Sequence, residues 1–259
     1  MKAAILMSLA LIGAAPVTAS AAESAWEPIF NGKTLDGWTP NLVGQKVGDD
    51  PLKTYVVEDG NLRVSYTNYD NRFAGQYGHI FWKEPLKAFR LRFEYRIYGD
   101  PLPDIKVWEV SNSGVMFHAQ TPQTMRRDQG FPVSLEFQIL GVPRPQQEPS
   151  GNLCTPGTTV VIDGKRDLRH CILSSSPLLP VGVWTQGEIE VLPNGEITHF
   201  VDGKAVLHYS APELDPADGD AAKLIAAAGG VLKLERGYIA LQAEGQPIEF
   251  RKIEVQRLD

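Results

Sequence analysis

Glu136 and Gln138 stand two residues apart in Gly130–Gly141, GFPVSLEFQILG. The stretch alternates cleanly, with Val133, Leu135, Phe137 and Ile139 on one face of a strand and Ser134, Glu136 and Gln138 on the other. A carboxylate able to exchange a proton and a carboxamide able to donate and accept hydrogen bonds therefore point the same way from a rigid element. Upstream, Ser111–Ala119 reads SNSGVMFHA, a short strand carrying His118, with Asn112 and Ser113 at its start. If the two strands pair, one sheet face collects Glu136, Gln138, His118 and Asn112. The plainer alternative is that these polar positions face water, as the outer residues of antiparallel strands usually do.

The elements that must position these groups are strands. Ala88–Tyr98 alternates most regularly, with Phe89, Leu91, Phe93, Tyr95 and Ile97 against Arg90, Arg92, Glu94 and Arg96, a solvated outer face. Asp59-Gly60, Asp163-Gly164, Asn194-Gly195 and Asp202-Gly203 read as turns between β-rich arms. Leu168–Leu173 reads as a strand following the second of these, and His199 and His208 as exposed positions on hairpin arms. In the last strand the apolar phase slips between Ile248/Phe250 and Ile253/Val255, which predicts a β-bulge. Pro212–Gly230 has room for at most one short helix. About a dozen short strands, with no repeat and no long amphipathic helix, predict a single all-β domain over 23–259, a sandwich or jelly roll.

The chain has 259 residues, 43% hydrophobic and 22% charged, with a formal net charge of −6. That composition supplies an ordinary core, and the lack of a basic patch argues against nucleic acid as a partner. Lys2, an apolar run from Ala3 to Val17 and the small residues Ala19–Ala22 make 1–22 a secretory signal peptide. The run is short for a membrane span, so no transmembrane segment is expected after cleavage and the mature protein is expected in the periplasm or outside the cell; a retained N-terminal anchor is the alternative. Cys154 and Cys171 are the only cysteines. An even count in an exported chain favours a disulfide. Buried thiols, or a metal site with His170, are the rival readings, and the latter lacks the usual ligand spacing. No metal and no cofactor is expected.

Four segments occur in the order seen in one exported bacterial family: FNGKTLDGW (Phe30–Trp38), SNSGVMF (Ser111–Phe117), SLEFQIL (Ser134–Leu140) and YIALQAEGQPIEFRKIEV (Tyr238–Val255). The chain resembles the 3-keto-disaccharide hydrolase family over essentially all of its mature length. The resemblance implies a concanavalin A-like jelly roll of two antiparallel sheets and a carbohydrate substrate whose sugar is oxidised at C3. The family's C-terminal motif often has a histidine where this chain has Glu244, and the Leu153–Thr158 segment with His170-Cys171 looks like a subgroup feature.

A 3-keto group acidifies the hydrogen on C2. A base that removes it lets the enolate expel the C1 substituent, and water adds back to the enone. That route needs a base, an oxyanion stabiliser and a proton donor, and not the carboxylate pair of an ordinary glycosidase. Laminarinase-type enzymes of this fold carry several acids at alternating positions of one strand, whereas Glu136 is followed by Gln138 and Leu140. The candidate catalytic residues are Glu136, His118 and His170, each histidine having a purely structural alternative. The candidate substrate-binding residues are Gln138, Asn112, Gln242 and Glu244, with His79 and Trp82 in an aromatic segment beside Tyr77 that suits stacking on a sugar or, alternatively, a core strand. A non-catalytic carbohydrate-binding module is the competing reading; it would rely on exposed aromatics such as Trp82 and Trp108.

Overall fold

Strands with apolar residues at alternate positions must bury one face, and two such sheets satisfy each other by stacking. The structure, a computed structural model, describes residues 24–259. The expected signal peptide lies outside the described residues. In chain order the strands begin β1 (Glu27–Pro28), β2 (Trp38–Leu42), β3 (Tyr55–Glu58), β4 (Asn61–Val64), β5 (Gly78–Trp82) and β6 (Phe89–Ile97). They continue with β7 (Asn112–Ala119), β8 (Leu135–Leu140), β9 (Asn152–Cys154), β10 (Thr158–Ile162), β11 (Lys165–Asp167) and β12 (Cys171–Ile172). The last are β13 (Thr185–Val191), β14 (Glu196–Val201), β15 (Lys204–Leu214), β16 (Tyr238–Ala243) and β17 (Ile248–Arg257), with one α-helix among the described residues, α1 (Gly219–Ala227), between β15 and β16.

The strands form two antiparallel sheets, as expected of a β-sandwich. One has ten strands, ordered β11-β10-β15-β14-β13-β6-β17-β4-β3, with β1 on β17; the other has seven, ordered β12-β9-β8-β7-β16-β5-β2. Inward residues of β6 and β17 meet those of β7, β8 and β16 in one core, in which Phe93 and Phe137 make an edge contact with centroids 5.4 Å apart. The charged face of β6 is laced to its neighbours: Arg90 to Glu190, Arg92 to Glu254 and Arg251 to Glu94, each at 2.6 Å. The register of β17 against β6 shifts between Arg251 and Glu254, and Ile248, Phe250, Ile253 and Val255 are all buried, so the slipped apolar phase is a β-bulge. Asp59-Gly60, Asp163-Gly164 and Asp202-Gly203 each have positive φ at both residues, as tight hairpin turns require.

Two expectations are corrected. Leu168–Leu173 is not one strand: β11 ends at Asp167 in the ten-stranded sheet and β12 begins at Cys171 in the other, so the chain crosses between layers there. His199 is not exposed; it shares the inward parity of Ile197 and Val201, is fully buried, and its ring nitrogens meet the Gly151 carbonyl at 3.0 Å and the Tyr209 hydroxyl at 2.8 Å. Burial pushes its imidazole down to about 4, so it stays neutral in the core.

Candidate functional site

The outer face of the seven-stranded sheet carries the polar residues. Across β9, β8 and β7, Cys154 lies opposite Glu136 and Glu136 opposite Met116, while Asn152 lies opposite Gln138 and Gln138 opposite Gly114. On the far side Gln242 of β16 is paired with His79 of β5. Directly opposed residues point to the same face, so this register alone brings Glu136, Gln138, Gln242 and His79 onto one surface.

Gly114 sits in the middle of that surface. A Cβ at this position would stand 2.2 Å from Glu136 Oε1. The glycine therefore leaves the space into which the Glu136 side chain leans. Above it is a cavity of about 350 Å³, within the size range of small-molecule sites. Its polar lining includes Asn112, Glu136, Gln138, Arg144, Gln242 and Glu244, and its walls include Trp108, Phe131, Pro156, Leu173 and both cysteines.

Several of these groups are buried without partners. Asn112 Oδ1, Arg144 Nε, Gln242 Oε1 and Glu244 Oε2 have no hydrogen bond. Glu136 is 6% exposed, and among the described residues no hydrogen bond or ion pair reaches its carboxyl. Unsatisfied buried polar groups are rare in folded proteins and costly, so the four in this cavity, beside the unpaired Glu136 carboxyl, offer donors and acceptors that a polar ligand could meet. Burial pushes the Glu136 carboxyl up to about 8. Burial, and then the neighbouring Glu136 and Glu109, push Glu244 well above the usual carboxylate range, against the opposing pull of Arg144. Two neutral carboxyls thus face one cavity near neutral pH, the first poised to release its proton in the working range of an acid–base catalyst.

The rest of the site holds these groups in place. Gln138 Oε1 accepts from Asn152 Nδ2 at 3.0 Å, which orients its own amide NH₂. Asn112 Nδ2 and Arg144 Nη2 both donate to the Trp108 carbonyl, at 3.0 and 3.2 Å, and Arg144 Nη1 pairs with Glu148 at 3.0 Å. Trp108 stacks on Tyr77, the planes 9° apart, and Tyr77 donates to the buried Glu109. On the opposite wall Cys154 and Cys171 form a disulfide that ties β12 to β9. His170, exposed, stands beside it on the cavity lining.

The structure does not bring all the expected residues together. His118 is on β7 but not on the cavity face. Its φ of 45° and the register shift opposite Tyr238–Ala240 mark a bulge that turns the ring away, where Nε2 meets the Lys87 carbonyl at 3.0 Å and the ring packs against Phe89. Gly237 accommodates that bulge, since a Cβ there would lie 2.2 Å from the His118 carbonyl carbon. Trp82 is in the core against Trp38, with ring centroids 5.5 Å apart. His79 and Trp82 are three apart on one strand and so face opposite ways, which bars a shared stacking surface. His79 does lie on the cavity-bearing face but is covered by Phe131, centroid to centroid 6.0 Å, and burial lowers its pKa to about 3. Sequence reasoning missed Arg144, Gly114 and Glu109. Arg144 lies in a Pro-rich loop with no periodicity, and the role of Gly114 depends on a neighbouring strand's register.

Comparison with known proteins gives the family and bears out the fold. Residues 25–256 match the model of the 3-keto-alpha-glucoside-1,2-lyase-like domain, and the chain belongs to that family. Two solved structures of candidate glycosyl hydrolases from Parabacteroides distasonis ATCC 8503 are similar to it in fold. One has 18% identity and a TM-score of 0.52, covering 90% of this chain and 94% of its own. The other has 16% identity and a TM-score of 0.55, covering 90% and 100%. A Bacillus subtilis protein of unknown function with a galectin-like fold aligns at 11% identity, TM-score 0.54, over 90% and 94%. No curated protein gives a significant match.

Proposed function

We propose, from membership of the 3-keto-α-glucoside-1,2-lyase-like family and from the unpaired carboxyl over Gly114, that this chain is an exported enzyme that cleaves 3-keto-glycosides. Glu136 as carboxylate takes the C2 proton. The C2–H electron pair forms the C2=C3 double bond of an enolate whose negative charge sits on the C3 oxygen. Collapse of that enolate restores the C3 carbonyl, forms C1=C2 and expels the C1 oxygen, which takes a proton from Glu244. Water then adds to C1, its released proton returning to Glu244, while C2 regains a proton from Glu136; both carboxyls are restored and the net change is hydrolysis.

Burial without a partner makes Glu136 a stronger base than a solvated carboxylate, at the cost that only a minor fraction is ionised at neutral pH. Glu244, held neutral, has a proton to give. The Gln138 amide and Arg144 Nε supply donors for the enolate oxygen and the sugar hydroxyls. Together 23–259 act as one domain, and the disulfide supports an oxidising destination, periplasmic or secreted.

The observation that carries this reading is the Glu136 carboxyl itself: buried, without a hydrogen-bond partner, and facing a cavity. A binding module gains nothing from such a group, since its desolvation weakens the fold without adding a charge. Trp108, 39% exposed at the cavity, is the feature that favours a lectin-like role. Incubation of the purified protein with a 3-keto-glucoside and with its unoxidised parent separates the two readings. Consumption of the oxidised glycoside alone is the expected result; binding of both with turnover of neither would establish the module.

A further inference from the structure

The cavity is two-toned. Its floor is polar, from Glu136, Gln138, Gln242 and Glu244, whereas its walls are mainly apolar, from Trp108, Phe131, Pro156, Leu173 and the disulfide, with Gln146, Glu148 and His170 as the polar groups among them. Leu173 is 54% exposed and Trp108 39%, and Val107, next to Trp108, is 59% exposed. Single exposed apolar residues are commonplace, but here Trp108 and Leu173 flank one opening from two separate segments of chain. We infer that this mouth selects 3-keto-glycosides whose leaving group is an apolar, ring-sized alcohol rather than a second sugar. The inference rests on the reading above that the floor holds the oxidised sugar.

The neighbouring surface argues the same way. A second depression of about 290 Å³ shares Phe131, Pro156 and His170 with the first and is lined by Arg126, Gln129, Asp218 and Asp220. Those polar groups are already engaged. Arg126 Nε and Nη2 bond Asp220 at 2.8 and 3.1 Å, Gln129 Nε2 donates to Gln120 and to the Phe131 carbonyl at 2.8 Å, and Asp218 caps α1 through bonds to the Asp220 and Ala221 N–H groups. A second sugar there would have to displace bonds already made, whereas an apolar ring at the mouth covers surface that water now wets.

The test compares three 3-keto-glucosides whose aglycones are methyl, cyclohexylmethyl and glucosyl. Methanol and cyclohexylmethanol are leaving groups of similar acidity, so the difference between them reports recognition. The cyclohexylmethyl compound is expected to exceed the glucosyl one in kcat/KM by about tenfold or more, and Leu173→Ser, at an exposed position that leaves the core alone, to narrow that preference about fivefold. Equal kcat/KM values, a preference for the glucosyl compound, or a preference untouched by Leu173→Ser would overturn the inference. The methyl compound tests the underlying reading by itself: if it is not consumed, that reading fails. Calorimetric binding of the unoxidised cyclohexylmethyl and methyl glucosides, which needs no turnover, then still decides the mouth's preference, and equal affinities would contradict it.

Discussion

The Glu136 carboxyl occupies the space that a side chain at Gly114 would fill, Oε1 lying 2.2 Å from where a Cβ would stand. The residues are on adjacent strands, two residues off direct register and so on the same face, because Gln138 and not Glu136 is opposite Gly114. The glycine thus sets where the carboxyl lies. Gly114→Ala needs no unusual φ and should fold, but it must push Glu136 aside, since Cγ and Cδ also lie 2.8 Å from the new Cβ. Turnover is expected to fall about 10²-fold, the scale of misplacing a reacting group, with thermal stability changing little. Unaltered turnover would mean that the position of Glu136 is not critical.

The pH profile follows from the raised carboxyl. A base must be deprotonated to act, and Glu136 is held up to about 8 by burial. On a 3-keto-glycoside, kcat/KM is expected to rise about tenfold per pH unit below that value and to level off above it. The level is set to fall again where Glu244, also raised, loses its proton. A profile flat between pH 5 and 8 would exclude Glu136 as the base.

The same shift sets a stability trend. A folded-state pKa raised above that of the unfolded chain gives a contribution that is complete below the ordinary glutamate range and lost as pH rises towards 8. At about 1.4 kcal/mol per pKa unit the loss is on the order of 5 kcal/mol. Glu136→Gln removes that dependence, so denaturant unfolding should show the variant gaining on the natural protein between pH 5 and 8. A constant difference across that range would contradict the burial.

The disulfide forms the cavity wall behind Glu136, because Cys154 is its cross-strand partner and Cys171 faces the same space. Thiol titration of the unreduced, denatured protein should find no free thiol. Replacing both cysteines by serine should cost about 3 kcal/mol, the chain-entropy scale for a 17-residue separation, and lower turnover as β12 loosens. Two titratable thiols would remove the wall from the account.

How much of this was legible in the sequence depended on parity. Strict alternation placed Glu136 and Gln138 on the face opposite Val133, Leu135, Phe137 and Ile139, and the phase slip in the last strand located its bulge. The same rule, applied to β5 and β14, would have separated His79 from Trp82 and sent His199 inward. His118 escaped because its bulge is written in no apolar phase; the signal is Gly237, just before the neighbouring strand β16, which only the register reveals. Arg144 and the Glu136–Gly114 contact belong to tertiary structure alone. His118→Gln is accordingly expected to lower stability by about 1–3 kcal/mol through its lost bond to the Lys87 carbonyl, with kcat preserved.

The role proposed for Glu136 is removal of the C2 proton of an oxidised sugar. The most direct measurement is the turnover of a 3-keto-glucoside and of its C2-deuterated form by the natural protein and by Glu136→Gln, which keeps the side chain's size and removes its basicity. The natural protein is expected to consume the 3-keto-glucoside, to slow on deuteration, and to lose about 10²- to 10⁴-fold in kcat on substitution, with the variant folded. Full activity of Glu136→Gln, or cleavage of the unoxidised glucoside at an equal rate, would contradict it.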